Sequence, residues 1–142
     1  MDQYIEFVSA NPLLSGAWVV LAGMLIYSFI GARMRGFKLV SPHELTMLVN
    51  RDDATVVDIR AADTFRKGHI TGAKNIAASK ITESNSSELE KLAGKPIIVV
   101  CEAGMTANKA CATLKQLGME NVYSLRGGMN EWRQANLPVT GK

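Results

Sequence analysis

The chain has 142 residues, of which 47% are hydrophobic and 20% charged, with a formal net charge of +3. That length accommodates one ordinary domain and a short extra segment. With no basic tract interleaved with aromatics there is no footprint for nucleic acid, and two cysteines are too few for a disulfide framework.

The extra segment comes first. Leu13 to Ala32 contains no charged residue, and a helix of that length crosses the ~30 Å hydrocarbon core of a bilayer. Residues 13–32 are therefore predicted to be a transmembrane helix, with a short extracytoplasmic N-terminus at 1–12 and a juxtamembrane basic linker at 33–36. A buried core helix would be shorter and amphipathic. A cleaved signal peptide would open on basic residues, whereas Asp2 and Glu6 are the only charges ahead of the span, and no small-x-small site closes it. Arg33, Arg35 and Lys38 follow the span and no Lys or Arg precedes it, so the positive-inside rule puts the N-terminus outside and the rest of the chain in the cytoplasm. That remainder carries 16 Lys and Arg against 11 Asp and Glu, because residues 1–32 hold two acidic residues and no basic one. Gly16 and Gly23 share a face of the span that would let a helix of another membrane protein approach.

A domain is expected over residues 37–139, with a tail at 140–142. Phe37 to Val40 reads as a first strand. Ser41-Pro42-His43-Glu44 supplies an N-cap, a proline at the first helical position and a Glu three residues after the cap, so a helix starts there with Leu45, Leu48 and Val49 on its apolar face. Asn50 to Asp53 breaks it. Thr55 to Ile59 reads as a buried strand with Asp58 and Arg60 at its end. Ala61 to Lys67 is a short helix closed by Gly68, and His69 to Ala73 leads to a third strand near Lys74–Ile76. Ser84 to Ser87 is a polar loop, and Ser87 with Glu90 reads as a second capping box ahead of a helix that Gly94 ends.

After Pro96, the β-branched run Ile97 to Val100 reads as a strand buried on both faces. It ends at Cys101. A short loop containing Gly104 follows, and then Ala107, Ala110, Cys111, Leu114 and Leu117 recur at helical spacing up to Gly118. A thiol between a strand end and a helix start lies where open α/β sheets bind ligands, and where free N–H groups stabilise an anion. Cys111 falls on the apolar stripe and reads as core. The spacing of the two cysteines is neither a CxxC redox motif nor a zinc pattern. Val122 to Leu125 is the last strand, and Gly127-Gly128 turns the chain into a helix around Trp132 that Pro138 finishes. The alternation predicts an α/β domain with a mostly parallel central sheet flanked by helices, preceded by the N-terminal transmembrane helix.

Three strings, VVDIRAADTFRKGHITGAKNI (Val56–Ile76), IIVVCEAGMTANKACATLKQLG (Ile97–Gly118) and NVYSLRGGMNEWRQANLPV (Asn121–Val139), occur in an order and spacing that resembles a rhodanese-like, sulfurtransferase-type domain. The whole chain resembles the single-domain bacterial members anchored in the inner membrane by one N-terminal helix. The resemblance implies that Cys101 attacks a sulfane sulfur, carries it as a persulfide and passes it to a thiol or another nucleophilic acceptor. It also implies that the loop Cys101, Glu102, Ala103, Gly104, Met105, Thr106 curls so that its amides, with the Thr106 hydroxyl, cradle the persulfide. Gly104 lets the backbone turn inward. Asp58, Arg60 and Gly68-His69-Ile70 match supporting positions of the family. Their chemistry reads as structural, Asp58 and Arg60 holding each other or nearby backbone and His69 orienting a loop. Many members carry Arg or Lys in the loop, where this chain has Glu102, Ala103 and Met105. Glu102 would repel a dianion such as thiosulfate and, pointing inward, would oppose a thiolate, which favours a neutral or protein-bound persulfide donor.

Two other functions compete with sulfur transfer. One is a catalytically quiet rhodanese-like module that docks proteins at the membrane. The other is phosphatase chemistry of the C-x5-R type, which needs an arginine six residues after the cysteine, where this chain has Ala107. His43 and His69 show no metal-ligand spacing, so no metal is expected, and no organic cofactor motif is present. The expected partners are a sulfane-sulfur donor, a thiol or protein acceptor, the membrane through Leu13–Ala32 and a membrane protein, with no nucleic acid.

Overall fold

The computed structural model describes residues 1–34, 36–82 and 87–141, with only the backbone of Ala32 and Arg33. Arg35 of the predicted linker, Ser84 to Ser86 of the predicted polar loop and Lys142 of the tail lie outside the described residues. The chain divides into two units, Met1–Arg35 and Gly36–Lys142.

The first unit is α1 (Asp2–Ala10) followed by α2 (Pro12–Met34). Between them Asn11 sits at φ −131° and ψ 64°, outside the helical region, and Pro12 lacks the amide hydrogen that would continue the ladder, so the axis breaks there. The 23 residues of α2 reach about 34 Å, and Pro12–Gly31 is long and apolar enough to cross a membrane. Helix α1 was not anticipated over residues 1–12, because nine residues fall below the length at which a helix is stable on its own in water.

The second unit runs β1 (Lys38–Val40), α3 (Pro42–Asp52), β2 (Thr55–Asp58), α4 (Ala62–Lys67), β3 (Lys74–Asn75), α5 (Ala78–Thr82), α6 (Ser87–Glu90), β4 (Ile97–Val100), α7 (Met105–Gln116), β5 (Val122–Leu125) and α8 (Gly128–Gln134). The strands form one five-stranded sheet in the order β1-β5-β4-β2-β3, and every neighbouring pair is parallel. Central β4 has Val56 opposite Ile98 on one side and Tyr123 opposite Ile98 on the other. It is covered above and below, which is why it is apolar throughout. Along it Ile97, Val99 and Cys101 pack with Ala107, Cys111 and Leu114 of α7, whereas Ile98 and Val100 pack with Leu45 of α3 and Met129 and Trp132 of α8. The two-residue period of the strand therefore directs Cys101 toward α7.

The capping box of α3 forms as expected, Glu44 N donating to Ser41 Oγ at 3.2 Å and Ser41 N to Glu44 Oε2 at 2.7 Å. The helix does not break at Asn50. It continues to Asp52 and ends on Asp53 at φ 52°, since Arg51 suits a helix C-terminus and Asp tolerates the left-handed conformation. Ser87 is not a cap but the first residue of α6, a single turn, and the chain runs on in turns to Gly94 at φ 85°. Helix α7 begins at Met105, two residues before the apolar stripe, because Gly104 at φ 97° serves as its N-cap. The tail stays with the domain beyond Val139. Thr140 and His69 exchange backbone hydrogen bonds of 2.8 and 2.9 Å, a pairing between distant segments that no local pattern signals.

Leu114, 1% exposed, lies at the centre of the α7 layer. Leu114→Ala is expected to destabilise the domain by about 3 kcal/mol through the cavity it leaves, read as a lower thermal midpoint of the full chain in detergent. A loss under about 1 kcal/mol would contradict the packing of α7 against β4 and β5.

Candidate active site

Parallel strands bring the ends of β2, β4 and β5 to one edge of the sheet, and Cys101 leaves β4 at the middle of that edge, where open α/β sheets place ligands. Its Sγ accepts hydrogen bonds from the amides of Gly104, at 3.0 Å, and Ala107, at 3.3 Å. Gly104 caps α7 and Ala107 is its third residue, so the buried sulfur takes donors that a helix N-terminus leaves without intrahelical partners. Between them, the Met105 and Thr106 amides have no acceptor among the described residues. Thr106 is exposed and its hydroxyl makes no hydrogen bond to Sγ. Ala107 was legible as the first residue of the apolar stripe, which fixes its side chain inward but says nothing of its N–H.

The loop backbone is held from a second side by α8. Met129 N donates to Cys101 O at 2.8 Å and Asn130 N to Glu102 O at 3.0 Å. These contacts require a bare backbone at Gly128, where φ is +57° and a Cβ would lie 2.2 Å from Cys101 O and 2.7 Å from Glu102 O.

Arg60 connects the end of β2 to the same loop. Its Nε donates to Asp58 Oδ1 at 3.0 Å and its Nη2 to Asp58 Oδ2 at 2.7 Å and Gly68 O at 2.8 Å, all within the buried core. Asn75, which sequence reasoning did not single out, braces the turn by donating Nδ2 to the carbonyls of Asp58, at 3.0 Å, and Arg60, at 2.9 Å. The remaining Nη1 of Arg60 donates to Glu102 Oε2 at 3.2 Å, and Arg133 of α8 pairs with Glu102 Oε1. The expectation that Glu102 brings an uncompensated negative charge to the loop is thus corrected, since two guanidinium groups neutralise it. Partial burial raises the Glu102 carboxyl, but hydrogen bonds and charge from Arg133 and Arg60 outweigh this and hold it below its ordinary value. Burial works against the Arg60 charge, and the pairing with Asp58 and Glu102 outweighs that as well, raising it. Arg133 had no sequence signal, lying 31 residues from its partner on another element.

His69 is occupied elsewhere. Its Nδ1 lies 2.7 Å from Phe65 O and its ring stacks on Phe65 with centroids 3.7 Å apart, which orients the segment after α4. Cys111 is fully buried and donates to Tyr123 O at 3.3 Å. Burial pushes its thiol up to about 12, so it stays protonated. Among the described residues no cluster of His, Cys, Asp and Glu could hold a metal ion.

Residues 41–135 match the rhodanese-like domain family, and the chain belongs to that family. It is 38% identical to YibN of Escherichia coli K12 over 143 residues, covering 100% of both chains. It is 33% identical over 108 residues to the thiosulfate sulfurtransferase GlpE of Shewanella oneidensis, covering 72% of this chain and 99% of that one. Among solved structures, BH2092 from Bacillus halodurans superposes with a TM-score of 0.66 at 28% identity, covering 84% of this chain and 86% of that one.

Because the folded state lowers the pKa of Glu102 from its ordinary 4.5, the ionised carboxylate stabilises the fold above that value, and this contribution is lost as pH falls through the lower folded value. Glu102→Gln is therefore expected to melt below the wild type at neutral pH, with the gap closing in acid. A gap of the same size at every pH would show that the pairing with Arg60 and Arg133 contributes nothing.

Proposed function

We propose that the protein is a membrane-anchored sulfurtransferase that carries sulfane sulfur as a persulfide on Cys101. The reading rests on one observation, the pair of amide hydrogen bonds to Cys101 Sγ from Gly104 and Ala107. Donors placed this way at a helix N-terminus stabilise sulfur as the nucleophilic thiolate. In the first half-reaction the thiolate attacks the outer sulfur of a donor R–S–SH. The bond from Sγ to that sulfur forms as the donor S–S bond breaks, R–S⁻ departs, and the proton stays on the transferred sulfur. In the second, an acceptor thiolate attacks the same sulfur and Cys101 departs as thiolate, with no net oxidant or reductant. The Met105 and Thr106 amides, with no acceptor among the described residues, are available to the added sulfur.

The charge arrangement bears on the donor. Arg60 is held by Asp58, Gly68 and Glu102, and Arg133 by Glu102, and the loop itself carries no Lys or Arg. A dianion such as thiosulfate has to compete with Glu102 for these guanidinium groups, whereas a neutral or protein-bound persulfide does not. Phosphatase chemistry lacks its anion-binding arginine, because buried Ala107 stands at that position.

The anchor is α2, in an inner membrane, with the N-terminus outside and the domain in the cytoplasm, as the basic residues after the span direct. Tethering raises the effective concentration of Cys101 toward donors or acceptors that are themselves membrane proteins.

Intact-mass spectrometry of the full chain in detergent, after exposure to cysteine persulfide and separately to thiosulfate, tests the chemistry. One sulfur atom is expected on the wild type with the persulfide, much less with thiosulfate, and none on Cys101→Ser, since Cys111 stays a buried thiol. If neither donor loads the folded wild type, sulfur transfer is ruled out in favour of a docking module.

A further inference from the structure

We infer that α1 lies flat in the lipid–water interface of the bilayer that α2 crosses, with Tyr4, Ile5, Phe7 and Val8 in the acyl boundary and Asp2, Glu6 and Ser9 toward water. This rests on the membrane anchor proposed above and adds a lipid-binding surface outside the span. At the helical period, Phe7, Tyr4, Val8 and Ile5 fall within roughly 160° of arc, and Ser9, Asp2, Glu6, Ala10 and Gln3 within roughly 120° on the other side. The two sets do not interleave. Within its unit the apolar arc is uncovered, with Tyr4 76% and Ile5 68% exposed.

Continuity with α2 identifies what covers it. Only Asn11 separates Ala10 from Pro12, so the C-terminal end of α1 is at the bilayer surface wherever α2 begins its crossing. Extending straight from α2, α1 would hold about 13 Å of helix and four large apolar side chains in water. The non-helical Asn11 followed by Pro12 breaks that line. Residues 2–10 contain no Lys or Arg, so attraction to anionic headgroups does not contribute, and burial of the apolar arc is the driving force. Zwitterionic lipid therefore suffices. A helix held in this way fixes the depth of Pro12 and hence the vertical register of the span.

The test uses the full chain carrying Cys101→Ser, in which the remaining Cys111 is fully buried, reconstituted in phosphatidylcholine vesicles, with one exposed cysteine introduced at a time for nitroxide labelling. Tyr4→Cys and Val8→Cys sample the apolar arc, Glu6→Cys and Ser9→Cys the polar arc, and Leu21→Cys the middle of α2. The ratio of oxygen to water-soluble nickel-chelate accessibility is expected to be several-fold higher at positions 4 and 8 than at 6 and 9, and highest at 21. Equal ratios at 4, 6, 8 and 9 with a lipid-exposed position 21 would overturn the interfacial helix and leave the anchor standing. A water-exposed position 21 would overturn both.

Discussion

The short stretch of backbone after β4 is gripped by two helix N-termini at once, and the remaining geometry of the site follows from that. The first turn of α7 directs its amides at Cys101 Sγ, while the first turn of α8 directs its amides at the carbonyls of Cys101 and Glu102. A helix start carries donors with no partner of their own, so each helix satisfies part of its own end by fixing the loop. The cost is steric. The approach of α8 leaves no room for a side chain at Gly128, and Gly104 likewise faces the backbone of Gly127 at 3.3 Å from a notional Cβ.

Charge is organised around the same loop. A buried guanidinium group must find acceptors for its donors, and Arg60 finds them in Asp58, the carbonyl of Gly68 and Glu102. The last of these turns a structural ion pair at the end of β2 into a restraint on the residue after Cys101. Arg133 reaches the same carboxylate from α8, so the helix that holds the loop backbone also holds its acidic side chain. Negative charge near the sulfur is thereby compensated, and the Arg60 and Arg133 guanidinium groups are both paired.

The fold was legible where local pattern and tertiary demand agree. The β-branched run Ile97 to Val100, the Ser41-Pro42-His43-Glu44 cap and the stripe through Ala107, Cys111 and Leu114 each encode their own element, because burial on two faces, capping and helical periodicity leave marks within a few residues. The single turn α5 leaves too little pattern to read, whereas α6 was expected from Glu90 and Gly94 but begins at Ser87 itself. The extension of α3 to Asp52 was hidden by Asn50 and Asp52, which are poor helix formers in general and acceptable in a last turn.

The amino-acid sequence by itself determined that a membrane-spanning length of apolar chain precedes an α/β domain, and that a cysteine stands between a buried strand and a helix start. Those are properties of neighbouring residues. Only the tertiary structure decided which amides meet the sulfur, that Arg133 and Arg60 share Glu102, that Asn75 braces the Asp58 turn and that Thr140 pairs with His69. Apart from the amides, which lie three and six residues from Cys101, each of these joins segments far apart in the chain, where the distance between groups is set by the register of parallel strands and the docking of helices on the sheet rather than by local spacing.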